Sequence, residues 1–211
     1  MMTEKEKAEF KSFVVLYLVP FACIVDIGII IAAIYGSLSG FSYPVMVVLT
    51  TLAFIGFHGS YRMVVAKIVS YFRPKFNLDN KIYRVDEDEI PFYDFFKVKL
   101  WKDVVPAWNK TNFMLSIKDI KDIDKVSKVL RFNLSAEITH HVNFYLSLFG
   151  TLFCLCKGMQ PWWWSFGIVS LLLGVFGDLP FIMIQRYNRF RVYPIYKRLQ
   201  ERASKEEIQT K

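Results

Sequence analysis

The sequence predicts an all-α fold, namely a polytopic membrane protein with about four transmembrane helices and a cytoplasmic amphipathic insertion. The first observation is that 54% of the 211 residues are apolar and that many of them gather in long runs. The second is that the charged residues, whose formal net charge is +8, concentrate outside those runs. The apolar runs predict spans at residues 13–35, 41–69, 142–156 and 162–184.

The predicted spans differ in length and in polar content. Residues 13–35 contain Asp26 as their only charged side chain and are long enough to cross a hydrocarbon core of about 30 Å. We interpret this run as an uncleaved anchor, because it is long for a signal peptide and no clear A-x-A cleavage site follows it. The run 41–69 is interrupted by polar residues toward its end, and the run 142–156 is the shortest.

The placement of basic residues predicts the topology. The connections 36–42 and 157–161 carry almost no charge, whereas Lys and Arg concentrate in the N-terminal flank, in the insertion 70–140 and in the basic tail 186–211. The positive-inside rule therefore predicts a multi-pass cell-membrane protein with both termini in the cytoplasm. We treat residues 1–211 as a single membrane domain whose partners are membrane lipids and not nucleic acid.

The insertion 70–140 contains two amphipathic stretches. An acidic run at residues 86–89 precedes Pro91, a pattern typical of a helix start. The stretch 96–102, FKVKLWK, fits either a continuation of that helix or a short strand, and its interleaved aromatics and lysines suit the headgroup region of a membrane. From about residue 120, apolar residues recur at helical spacing and predict a helix that leads into the third span.

One pair of ionisable residues at the membrane boundary is a candidate catalytic pair. An ionisable side chain at membrane depth is costly to bury, so it indicates function. Glu137 and His140 are three residues apart and share a helix face where the amphipathic stretch meets the third apolar run. Histidine is the usual general base near neutral pH, which makes His140 the candidate base.

Other ionisable residues in the apolar runs have structural interpretations. Asp26 could pair with Arg62 across two helices, because buried charges are usually paired. His58 fits a hydrogen-bonded residue between helices. Asp178, inside the fourth run, fits a structural or a functional role equally well.

The end of the fourth run, PFIMIQRYNRFRV, is crowded with polar groups. Arg186 and Arg189 lie on one side of a continuing helix, with Arg191 nearby. Two interpretations stay open: arginines that anchor a helix end to anionic lipid, or guanidinium groups that bind a phosphorylated ligand in a bidentate manner. Anchoring to anionic lipid explains the presence of Gln185 and Asn188 less well than a bound phosphorylated ligand does.

Three motifs resemble those of the glycosyl-4,4'-diaponeurosporenoate acyltransferase family. LPFIMIQRYNR, followed by Arg191, is similar to the family's N-x-P-apolar-Q-R-Y-N-R-x-R signature. AEITH at residues 136–140 is similar to its A-E-x-x-H, and LWKDVVP at residues 100–106 is similar to its W-K-D-x-x-P. The motifs share the family's order and cover roughly the C-terminal half of the chain, although Asp178 stands where an asparagine is common.

The resemblance implies a membrane O-acyltransferase that moves a fatty acyl group from a donor such as acyl-CoA to a hydroxyl of a glycolipid or carotenoid glycoside. In this hypothesis His140 removes the hydroxyl proton, Glu137 orients the imidazole, and Asn188 or Tyr187 donates a hydrogen bond to the oxyanion. The arginines and a lysine would hold the donor's phosphates, and a tryptophan would help to place the acyl chain. The predicted substrate-binding residues are Tyr187, Gln185, Arg186, Arg189, Arg191, Trp101, Lys102 and Asp103.

Two alternatives to this hypothesis remain. A non-enzymatic membrane assembly or lipid-binding protein would need the arginines only for anionic headgroups. A metal site of Glu137, His140 and His58 would have few and scattered ligands, so neither a metal nor a cofactor is expected, and acyl-CoA enters only as the donor substrate. The expected partners are membrane lipids, an acyl donor and a lipid-like hydroxyl acceptor.

Overall fold

The regular elements of the protein are helical. A computed structural model describes residues 24–25, 27–28, 42–80, 83–102, 121–156 and 161–209, and within these ranges there is no strand, which confirms the all-α prediction. The helices are α1 (Tyr43–Phe72), α2 (Ile90–Phe95), α3 (Val98–Trp101), α4 (Ile123–Cys156), α5 (Pro161–Leu172) and α6 (Leu179–Gln209). Short 3-10 turns occupy Arg73–Lys75 and Glu87–Glu89, and a π-helical segment, Leu173–Asp178, joins α5 to α6.

Two helical segments of the described chain, Tyr43–Lys75 and Trp163–Glu206, are long and apolar enough to cross a membrane. They overlap the second and fourth predicted spans, so two of the four predicted spans coincide with helices that could cross a membrane. The first predicted span lies almost wholly outside the described residues. The third, 142–156, is no separate helix but the C-terminal part of α4. A stretch of that length rises roughly 22 Å, short of a ~30 Å hydrocarbon core.

The described part of the chain divides into two compact units, and the described residues within 1–66 and 143–177 form the first of them. In this unit Phe54 of α1 packs on Phe166 of α5, with ring centroids 4.5 Å apart. His58 is buried, and its Nε2 lies 2.8 Å from Oγ of Ser170, which agrees with its interpretation as a residue between helices. Arg62 donates to Oγ of Ser147 at 2.9 Å, while its proposed partner Asp26 lies outside the described residues.

Residues 67–142 and 178–211 form the second unit, whose core lies between α4 and α6. The amphipathic helix predicted from about residue 120 begins at Ile123, where Oδ1 of Asp122 accepts backbone N–H groups of the first turn. One face of α4 buries its apolar side chains against α6 and the loop before α2. The fully buried members of this cluster are Leu78, Val126, Leu130 and Leu134.

The segment 90–102 forms two short helices that meet at a break. Lys97 has a left-handed backbone (φ 51°), a conformation that few non-glycine residues adopt, and it separates α2 from α3. The strand alternative for residues 96–102 is therefore wrong. Tyr93 and Val98 face inward and pack with Met183 of α6, which anchors both short helices to the second unit.

Candidate functional site

Polar side chains recur at helical spacing on the facing surfaces of α4 and α6 in the second unit. Glu137 and His140 lie three residues apart on α4, and Gln185 and Arg189 lie four apart on α6. The contacts follow opposite chain directions on the two helices. His140, the later residue on α4, contacts Asp178, whereas the earlier residue Glu137 contacts residues further along α6. The two helices therefore form an antiparallel pair with a polar layer next to its apolar core.

The centre of this layer is a charged cluster of Glu89, Glu137, Arg186 and Arg189. Arg186 Nη1 donates to Oε1 of Glu137 at 2.8 Å. Arg189 donates to Oε2 of the same carboxylate from Nε at 2.8 Å and from Nη2 at 2.6 Å. Glu137 is only 3% exposed and Arg189 only 5%, so this pairing compensates charges that are almost fully removed from water.

The 3-10 turn before α2 supplies the second carboxylate of the charged cluster. Glu89 receives two hydrogen bonds from Arg186, at 2.9 Å from Nε and 2.5 Å from Nη2, in the bidentate geometry that guanidinium groups favour. Tyr93 Oη also donates to Glu89 at 2.5 Å. Burial alone would raise the pKa of Glu89, but the hydrogen bonds from Arg186 and Tyr93 outweigh it and hold the pKa below its usual value. Burial and the contact with Glu89 raise the pKa of Tyr93.

One turn along α4 from the charged cluster, His140 forms a pair with Asp178. Its Nδ1 lies 3.0 Å from Oδ1 of Asp178, which is fully buried, and its ring stacks on Phe181 at a centroid distance of 4.8 Å. An Nδ1–H held by a carboxylate leaves Nε2 as the basic nitrogen. Within the part of the chain that the structure describes, Nε2 makes no hydrogen bond, and a quarter of the side chain is exposed.

These contacts correct the predicted relation between Glu137 and His140. The carboxylate that contacts the imidazole is Asp178, 38 positions along the chain, whereas Glu137 binds the two arginines. The expected orienting role of Glu137 is therefore wrong. The physical reason is that α6 presents guanidinium groups opposite Glu137, and a nearly buried carboxylate binds the nearest cations.

The other predicted site residues lie at different depths. Gln185 is 4% exposed, Tyr187 packs edge-on against Tyr93 at 6.0 Å, and Asn188 is half-buried. Arg191 is exposed to solvent. Two further residues lie at the end of α3: Trp101 donates to the carbonyl of Phe96 at 2.7 Å, and Lys102 is half-buried. Asp103 lies outside the described residues.

A small cavity opens beside the charged cluster. Its volume is about 160 Å³, and Arg189 and Glu87 lie in its wall together with the rings of Tyr83, Phe190 and Tyr193. The backbone carbonyl of Tyr83 also accepts a hydrogen bond from Nη1 of Arg189. The cavity therefore adds space for a polar group next to side chains of both signs.

Sequence reasoning missed the role of two carboxylates. Glu89 belongs to the acidic run before Pro91, which was assigned only to the start of a helix, and its contact with Arg186 joins residues 97 positions apart. Asp178 is a lone carboxylate in an apolar run and was left open between a structural and a functional role, but its contact with His140 was not predicted. It also ends a π-helical segment, a feature frequent at functional sites.

A family model described as glycosyl-4,4'-diaponeurosporenoate acyltransferase matches residues 70–198, more than half of the chain. The chain belongs to this family. The name implies acyltransferase activity, and the matched residues include the charged cluster, the His140–Asp178 pair and the cavity. His58 and Arg62 precede the match. No curated protein and no solved structure matches the chain.

Two side chains of the matched region bear on the acyltransferase activity that the family name implies. Among the described residues, no group of three or more His, Cys, Asp or Glu side chains could hold a metal ion. The side chains that are present offer a basic nitrogen on His140 and a guanidinium on Arg186 that is about one-fifth exposed. A base and a cation are the two groups that acyl transfer to a hydroxyl needs.

Proposed function

We propose that this family member is a membrane-embedded O-acyltransferase that moves a fatty acyl group from an activated donor such as acyl-CoA to a hydroxyl of a glycolipid or carotenoid glycoside. The observation that carries the proposal is the His140–Asp178 pair, with Nδ1 bound by a buried carboxylate and Nε2 left accessible. The two helical segments long enough to cross a membrane support the location, since both the acyl chain and the acceptor are lipid-like.

In the proposed reaction, Nε2 of His140 takes the proton of the acceptor hydroxyl as its oxygen attacks the acyl carbonyl carbon. Asp178 fixes the tautomer of the imidazole and stabilises its protonated form. When the tetrahedral intermediate collapses, the carbon–sulfur bond of the thioester breaks. The proton then passes from Nε2 to the leaving thiolate, which completes the transfer with no further reactant.

The charged cluster supports this site in two ways. Arg189 is buried and bound to Glu137 and to the Tyr83 carbonyl, so its role in the proposal is to hold the cluster together. Arg186 donates three N–H groups to carboxylates, and its side chain is partly exposed. Arg186, together with the exposed Arg191, is the proposed contact for the donor's phosphates, and Asn188 or Tyr187 the donor to the oxyanion.

The test compares His140→Gln with His141→Gln in purified protein, following transfer of a labelled acyl group to a lipid-linked sugar. His141 is the matched control, because it is the adjacent histidine and its Nδ1 contacts the Glu137 carbonyl of its own helix. We expect His140→Gln to lose at least a hundredfold in rate, the usual contribution of a general base, and His141→Gln to stay near the wild type. Equal activity in the two variants contradicts the role of His140, and no transfer by the wild-type protein contradicts the proposal and favours the non-enzymatic lipid-binding alternative.

A further inference from the structure

The outer side of α2 and α3 carries an unusual apolar surface. Four large side chains form what we call the α2–α3 ridge: Phe92 (49% exposed), Phe95 (80%), Phe96 (46%) and Leu100 (72%). The rings of the three phenylalanines contact one another, with centroids 4.8 and 5.1 Å apart. A contiguous apolar patch of this kind marks a surface that is covered in use.

The ridge is held rigidly from its inner side. Tyr93 and Val98 are buried in the cluster with Met183, and the indole of Trp101 is hydrogen-bonded to the backbone carbonyl of Phe96. The inner side chains Tyr93 and Val98 already occupy the contact with α6, so the phenylalanines on the other side of the segment stay exposed in the folded unit.

The charge beside the ridge indicates what covers it. Lys97 and Lys99 are exposed and flank the apolar side chains, and neither forms an ion pair with any residue that the structure describes. The left-handed backbone at Lys97 turns the chain between the phenylalanines and Leu100, so the two lysines flank the apolar side chains along the sequence. Asp94 is the one exposed carboxylate of residues 92–102. Aromatic side chains interleaved with lysines match a bilayer interface with anionic headgroups.

We infer that the α2–α3 ridge inserts into the surface of an anionic lipid leaflet, with Lys97 and Lys99 at the headgroups and the phenylalanines among the upper acyl chains. This inference goes beyond the proposed reaction and does not depend on it, because the ridge and the His140–Asp178 pair are different sets of residues. It gives the segment that carries Glu89 and Tyr93 a second anchor, on the lipid side.

The test places the photoreactive p-benzoylphenylalanine at Phe95 in the full-length protein, reconstituted in vesicles of phosphatidylcholine with or without phosphatidylglycerol. After irradiation, mass spectrometry identifies what is attached. We expect an acyl-chain adduct whose yield rises with phosphatidylglycerol. We also expect the yield to fall about fivefold for each of Lys97→Gln and Lys99→Gln. Glu201, exposed on α6, takes the same photoreactive residue as the matched control and gives little lipid adduct.

Three outcomes overturn the inference. The first is attachment to a second copy of the chain or to another protein. The second is an adduct yield that changes neither with lipid charge nor in either lysine variant. The third is a yield at Phe95 no higher than at Glu201. Phe95 is 80% exposed, so the substitution leaves the fold intact, and circular dichroism of the reconstituted protein checks this. Acyl transfer is not the readout, so failure here leaves the proposed function standing.

Discussion

The charged cluster gives the most quantitative prediction, which concerns Glu137→Gln. Glutamine keeps the shape of glutamate but removes the negative charge that Arg186 and Arg189 share. Arg189 is only 6% exposed as a side chain, so its guanidinium would remain buried with a single neutral acceptor in place of the carboxylate. Arg186 is 21% exposed and remains paired with Glu89. Water and this second carboxylate therefore limit how much Arg186 contributes to the loss of stability.

Breaking a buried ion pair by removing one partner destabilises a protein by about 3–5 kcal/mol. Because the loss falls mainly on Arg189, we expect the lower end, about 3 kcal/mol, or a fall in Tm of about 6–12 °C for a chain of this size. Adding Arg189→Met removes the orphaned charge, so the double variant should be more stable than the sum of the two single effects predicts.

The assay is thermal and denaturant unfolding in one detergent, monitored by circular dichroism. Glu201→Gln is the control, since Glu201 is exposed on the same helix that carries the arginines, and it should change stability by less than about 0.5 kcal/mol. If Glu137→Gln unfolds like Glu201→Gln, or if the double variant shows no coupling, the cluster is not a buried ion network and the reasoning fails.

Three further predictions follow from other contacts. Asp178→Leu should lower the acyl-transfer rate by at least about a hundredfold with little change in KM, because His140 then loses the acceptor that holds its Nδ1–H; Asp178→Asn, the residue common in the family, keeps an acceptor oxygen and should lose much less, and an unchanged rate in Asp178→Leu contradicts this. The pKa of Glu89 is depressed, so its contribution to stability is present at pH 7 and is lost as the pH falls below about 4; Glu89→Gln should flatten this acid limb of the unfolding curve. A Cβ at Gly167 would lie 2.9 Å from a cysteine sulfur, whereas one at Gly59 would meet nothing within 4 Å. Gly167→Ala should therefore destabilise by about 1–3 kcal/mol and Gly59→Ala should stabilise by about 0.5–1 kcal/mol in the same unfolding assay; a reversed order refutes the packing.

Local periodicity predicted the helices well and their ends less well. The helix predicted from about residue 120 begins at Ile123, within three residues of the prediction. The runs 41–69 and 162–184 overlap the two segments that are long enough to cross a membrane. The run 142–156 is the C-terminal part of α4, as the sequence predicted, although an apolar run reports composition and does not show where a helix begins. Here the helix starts 19 residues earlier, at Ile123.

Which of the site's side chains share a helix face was predictable from the sequence, but their pairings were not. Helical spacing placed Glu137 and His140 on one face and Arg186 and Arg189 on another, and the structure agrees with both. Which carboxylate meets which base depends on the register of two antiparallel helices, and no local pattern encodes that register. The contact of Glu89 with Arg186 depends on a turn that folds back over 97 positions, which is equally beyond a local reading.

The order in which the charged cluster is synthesised has a consequence for folding. Both of its acidic members, Glu89 and Glu137, leave the ribosome before its basic members, which come with α6 near the end of the chain. Until α6 is synthesised, the carboxylates of Glu89 and Glu137 lack the arginines that compensate their charges in the folded unit. A nascent chain stopped before Leu179 should thus keep α4 open to water or to chaperones, and the second unit should close only after α6 has been synthesised.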